Sequence, residues 1–124
     1  MVMEIKKIEY DFSVCKVEDY SLISLNSEFI FVGKTDEENS LVCPTSEVPS
    51  NVVERNDGWK AFKIQGILEF SLIGILSAIS GILADNKIGI FAISTFNTDY
   101  IMVKAENYQR AADILACAGY AVTD

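Results

Sequence analysis

Histidine is missing altogether from the 124 residues, and with it go Ser-His-Asp and Cys-His nucleophile systems and most zinc mechanisms. Basic residues are scarce: 10 against 18 acidic, a formal charge of −8 with no basic cluster. That balance disfavours nucleic acid and anionic membrane surfaces as partners. Cysteine is sparse as well. Cys15, Cys43 and Cys117 are odd in number, widely spaced and without a Cys-x-x-Cys pair, so neither a disulfide framework nor a zinc knuckle is expected, only small thiols in a reducing compartment. The glycine-rich nucleotide fingerprints, the phosphate-cradling loop and the Gly-x-Ser-x-Gly elbow are all missing. No cofactor, no metal and no enzyme activity are expected. The acidic run Asp36-Glu37-Glu38 lacks the alternate ligand spacing and closing glutamate of a calcium loop and reads as a solvated turn.

Long apolar runs are also few. The longest uncharged one, Phe70 to Ala84, falls short of the roughly 20 residues a bilayer requires. It is bracketed by Glu69 and Asp85 and holds Gly74, Gly81 and three serines, so it reads as a helix buried between a sheet and a second helix. Met1 to Lys7 lacks the charged-then-apolar order of a signal peptide. A cytoplasmic location is expected.

What is present is β-rich material followed by a regular alternation. Strands are predicted at Ile5 to Val17, Glu28 to Lys34, Ser40 to Cys43 and Trp59 to Ile64, with Thr35 to Asn39 and Asn56-Asp-Gly as turns and Pro44 and Pro49 barring a long helix. A helix from about Phe70 to Ala84, strands at Lys87 to Thr95 and Tyr100 to Lys104, a helix capped by Asn107 and stopped by Gly119, and a last strand at Tyr120 to Val122 complete the order. Residues 59–122 thus read β-α-β-β-α-β, the split-βαβ plan.

A short internal repeat extends this plan to the first half. Asp19-Tyr-Ser-Leu-Ile resembles Glu69-Phe-Ser-Leu-Ile at an offset of 50, and Phe31-Val-Gly-Lys-Thr resembles Phe91-Ala-Ile-Ser-Thr at an offset of 60. The expected fold is therefore α+β, two tandem ferredoxin-like (βαββαβ) lobes: a truncated one over 1–55 and a complete one over 56–124. A lobe without its helices must bury its sheet elsewhere. Together with the small-residue stripe Ser71, Gly74, Ser77 and Gly81, this predicts a homodimer.

Two segments converge on a site. The loop Gly66 to Ser71 leads onto a helix start, whose free N–H groups and positive end suit a carboxylate. The knot Ser94 to Asp99 offers Asp99 to an ammonium and Thr95 and Thr98 as hydrogen-bonding side chains. A site anionic at one end and cationic at the other fits a free amino acid, and Glu69, Asp99 and the net charge lean toward a basic one. The bland readings are that Glu69 only stabilises a helix start and that Thr98 and Asp99 only shape a hairpin.

The motifs Gly66-Ile-Leu-Glu-Phe-Ser-Leu-Ile-Gly-Ile, Ile90-Phe-Ala-Ile-Ser-Thr-Phe-Asn-Thr-Asp-Tyr-Ile, Leu41-Val-Cys-Pro and Gly58-Trp-Lys, in that spacing, resemble ACT-domain proteins related to the CASTOR arginine sensors, small bacterial members included. The resemblance implies side-by-side pairing of ACT units and an effector held where two units meet. It places that effector on Gly66, Ile67, Leu68, Glu69 and Phe70 with Thr95, Phe96, Thr98 and Asp99. The four-unit eukaryotic sensors are longer, so this chain would have to dimerise to match them. The reading is a regulatory amino-acid-binding protein; the alternative is a ligand-free module that docks a separate enzyme or transporter.

Overall fold

The computed structural model describes residues 3–65 and 74–124. Two alternating runs, uninterrupted by proline, form the longest strands, β1 (Glu4–Val17) and β4 (Val52–Gln65). Between them lie β2 (Phe31–Lys34), β3 (Asn39–Pro44) and a single 3-10 turn, Thr45–Glu47. After them come α1 (Ile75–Asp85), β5 (Ile90–Ser94), β6 (Asp99–Lys104), a second 3-10 turn at Ala105–Asn107, α2 (Tyr108–Cys117) and β7 (Ala121–Thr123).

The chain divides into two compact units, 10–59 and 60–124 together with 1–9. The halves expected at 55 and 56 differ from this grouping in that the start of β1 goes with the C-terminal part. Within 10–59 the strands neighbour one another in the order β2-β3-β1-β4, which is the 4-1-3-2 order of a ferredoxin-like sheet. Its core is Cys15, Val17, Leu41 and Cys43, with Tyr20, Ile23, Ile30, Val48 and Val52 packed against them. Residues 18–30 form turns and bends, so no helix stands after its first strand.

Within the other unit the order is β7-β1-β4-β6-β5. This is again 4-1-3-2, except that the start of β1 intervenes between β7 and β4. Glu4–Lys6 pair in parallel with Ala121–Thr123, and the Thr123 hydroxyl donates to Glu4 Oε1 at 3.0 Å. Both helices pack on Ile5, Phe62, Ile64, Ile101 and Val103 through Ile79, Leu83, Ala111, Ala112 and Leu115. Tyr108 sits on Phe62, ring centroids 4.6 Å apart, and its hydroxyl donates to the Ala61 carbonyl at 3.0 Å.

The structure corrects four local expectations. Asn56-Asp-Gly is not a turn but part of β4. Gly58 takes φ of 85° there without reversing the chain, because Asp57 is anchored to neighbouring β1 by Ser13 Oγ at 2.6 Å. The strand expected from Lys87 starts only at Ile90, since Asn86, Lys87 and Ile88 still donate to the last helical carbonyls of Leu83 and Ala84. Asn107 makes no side-chain cap; its Oδ1 accepts instead from Arg110 Nη2 at 3.3 Å. Finally, α1 is not buried all round: Ile79 and Leu83 face the core, while Ser77, Ala78, Gly81 and Ala84 are exposed. The stop at Gly119 (φ 105°) is as expected.

Candidate functional site

A threonine builds the tip of the β5–β6 hairpin. Thr95 N–H and Oγ1 both donate to the Thr98 carbonyl at 2.8 Å, and Thr98 N–H returns a bond to Thr95 Oγ1 at 3.3 Å. Thr98 Oγ1 in turn donates to the Ile64 carbonyl, which ties the hairpin tip to the end of β4. The tie positions Asn97, Thr98 and Asp99 along one side of a cavity of about 260 Å³.

The other side is the start of α1. Gly74 precedes the helix with φ of 86°, and Gly74 to Ser77 line the cavity. The first helical bond is Ala78 N–H to the Gly74 carbonyl at 2.8 Å. A helix leaves its first N–H groups without upstream acceptors, so those of Ile75 to Ser77 belong to this end, and no acidic residue of the first turn offsets its positive potential. Ile64 and Met3 supply the apolar wall. The cavity thus has a positive backbone end, a carboxylate, three short polar side chains (Ser77, Asn97 and Thr98) and an apolar flank. Such a set suits a small molecule carrying opposite charges.

The expected residues divide as follows. Thr98 and Asp99 line the cavity and are half-buried. Thr95 shapes the turn and does not line it. Phe96 points its ring into solvent, fully exposed. Gly66, Ile67, Leu68, Glu69 and Phe70 lie outside the described residues. Sequence reasoning missed Asn97, Met3 and the helix start at Gly74 to Ser77. The helix begins at Ile75, five residues after the expected start at Phe70, and Met3 could not be foreseen without knowing that the start of β1 lies beside β4.

Residues 54–117, just over half of the chain, match the ACT domain. An X-ray structure of a protein from Agobacterium tumefaciens is 29% identical, with a TM-score of 0.86 over 100% of this chain and 95% of that one. The aspartate kinase of Clostridium acetobutylicum, described as an allosteric enzyme, is 14% identical with a TM-score of 0.67; the match covers 94% of this chain and 34% of the kinase. A C-terminal regulatory domain assigned to the aspartate kinase of Porphyromonas gingivalis is 15% identical, with a TM-score of 0.57 and 96% of each chain covered. No match is found among curated proteins.

Proposed function

Since the chain belongs to the ACT-domain family, we propose that it is a non-enzymatic regulatory protein that binds a free amino acid in the cavity between the start of α1 and the β5–β6 tip. The observation that carries this reading is the cavity's polarity. Its helix end suits an α-carboxylate, and Asp99, on the opposite wall, suits an α-ammonium. The regulatory role is supported by the likeness in fold to the regulatory domain of an aspartate kinase. The narrower kinship with CASTOR-type sensors, and a preference for basic amino acids, rest on the sequence motifs and on the acidic charge.

The same reading has a second copy of the chain complete the site. The exposed small residues Ser77, Ala78 and Gly81 beside the cavity would allow another backbone to approach closely.

Thermal melts with each of the twenty amino acids test the proposal. A ligand that binds only the folded form, at 100 times its Kd, adds about 2.7 kcal/mol, which raises Tm by several degrees in a chain of this size. Asp99→Ala should diminish that shift, and Asp85→Ala, on the last turn of α1 and part of neither hairpin tip, should leave it intact. A shift unchanged in the Asp99 variant would reduce that residue to a hairpin former. No shift with any amino acid would favour the docking-module reading.

A further inference from the structure

The two hairpins are copies of one another in bonding as well as in sequence. In β2–β3, Phe31 faces Val42 and Lys34 faces Asn39; in β5–β6, Phe91 faces Met102 and Ser94 faces Asp99, each pair displaced by the same 60 positions. Thr35 N–H donates to the Glu38 carbonyl at 3.0 Å and Thr35 Oγ1 accepts from Glu38 N–H at 3.2 Å, the counterparts of the Thr95–Thr98 bonds. The 3-10 turns at Thr45–Glu47 and Ala105–Asn107 keep the same displacement. On the adjoining strands, Phe12 and Phe62, both fully buried, stand 50 positions apart, as do Val14 and Ile64.

The places equivalent to Ile64, Asn97 and Thr98 are therefore Val14, Glu37 and Glu38, and these three line a cavity of about 430 Å³ inside the 10–59 unit. Its polarity is rebuilt from different groups. Residues 18–30 supply no helix start, but Lys16 reaches the cavity and makes no ion pair among the described residues. In the same lining, which also includes Glu54, Glu37 and Glu38 stand at the places of Asn97 and Thr98. Their backbone N–H groups are held by Thr35 Oγ1, while the exposed carboxylates enter no ion pair among the described residues. Arg55, on the β4 side, is already bound by Asp57 through two bonds of 3.1 and 3.2 Å, so Lys16 is the available cation.

We propose that the 10–59 unit holds a second amino-acid site, in which Lys16 takes the α-carboxylate and Glu37 and Glu38 take the α-ammonium. The choice of ligand class rests on the reading of the first cavity; the place of the second rests on the repeat and on its own lining.

Amide chemical shifts of the ¹⁵N-labelled full chain, titrated with each of the twenty amino acids, distinguish the two sites. With at least one of them, the Lys16, Glu37 and Glu38 amides should move saturably, and should still do so in the Asp99→Ala chain. Lys16→Met should weaken that response about tenfold or more while leaving shifts at Asn97 to Asp99 unchanged. The decarboxylated amine of the same amino acid should bind about tenfold more weakly at the second site. Movement confined to Asn97–Asp99 would overturn the second site and leave the first standing. Movement confined to Lys16, Glu37 and Glu38 would support the second site against the first. No movement at either would overturn both, and a response indifferent to Lys16→Met and to Glu37→Gln with Glu38→Gln would overturn the assigned roles.

Discussion

Asp57 shows how one side chain can override a strong local signal. Asn-Asp-Gly favours reversal, yet here Ser13 and Arg55 hold Asp57 in a strand, and those bonds, Ser13's first, keep its carboxyl below the usual carboxylate range. A lowered folded-state value means that its contribution is present above the ordinary aspartate pKa and is lost as pH falls through the lowered one. The Tm gap between the parent chain and Asp57→Asn should therefore be widest near neutrality and close below about pH 4; a gap that does not change with pH would contradict this. The thiols should divide as sharply. Burial raises Cys15 and pushes Cys43 up to about 12, while Cys117 is exposed, so a thiol reagent at pH 8 should rapidly modify one cysteine per folded chain, identified as Cys117 by mass spectrometry. Phenylalanines were the least legible in the sequence. Phe62 and Phe96 look alike there, but Phe62→Ala should cost about 3–5 kcal/mol and Phe96→Ala less than about 0.5 kcal/mol, as denaturant melts would show, because one ring is sealed under Tyr108 and the other meets only water.

Among the elements, the hairpins were the most readable and the helix ends the least. Alternation around Thr35 and Thr95 set both turns, and the Ser-Thr-x-x-Thr-Asp motif led to the cavity wall formed by Thr98 and Asp99. The helix end opposite them could not be located from an unbroken apolar run, because Ile and Leu continue on both sides of Gly74 and only the backbone conformation marks the start. If the two turns are equivalent, Thr35→Ala and Thr95→Ala should destabilise to a similar extent, each by about 1 kcal/mol. A cost at only one of them would mean that the shared bonding is incidental. Gly74→Ala probes the helix start by another route. No atom lies within 4 Å of an added Cβ, so the expected penalty, about 1–2 kcal/mol, comes from the left-handed backbone alone.

At the scale of the molecule, the mirrored hairpins and truncated first half were visible in the repeat, whereas the place of the first nine residues was not. Nothing in Ile5 names a partner strand 117 positions away. Light scattering should give about twice the 13.7 kDa chain mass if the proposed pairing of copies holds, and the mass of a single chain would refute it. The strand exchange between β1 and β7 also fixes an order of events. During synthesis β1 emerges early, and residues 10–59 have all their strands as soon as β4 is made. Glu4 to Lys6, by contrast, must wait for Ala121 to Thr123, the most sequence-distant strand pairing among the described residues and so among the slowest kind to form. The cavity that Met3 shares with the helix start can assume its final shape only after that wait. A nascent chain halted before β7 would carry its second hairpin and both helices around an incomplete cavity, so the binding proposed for this cavity should appear only once the C-terminal strand is free to dock.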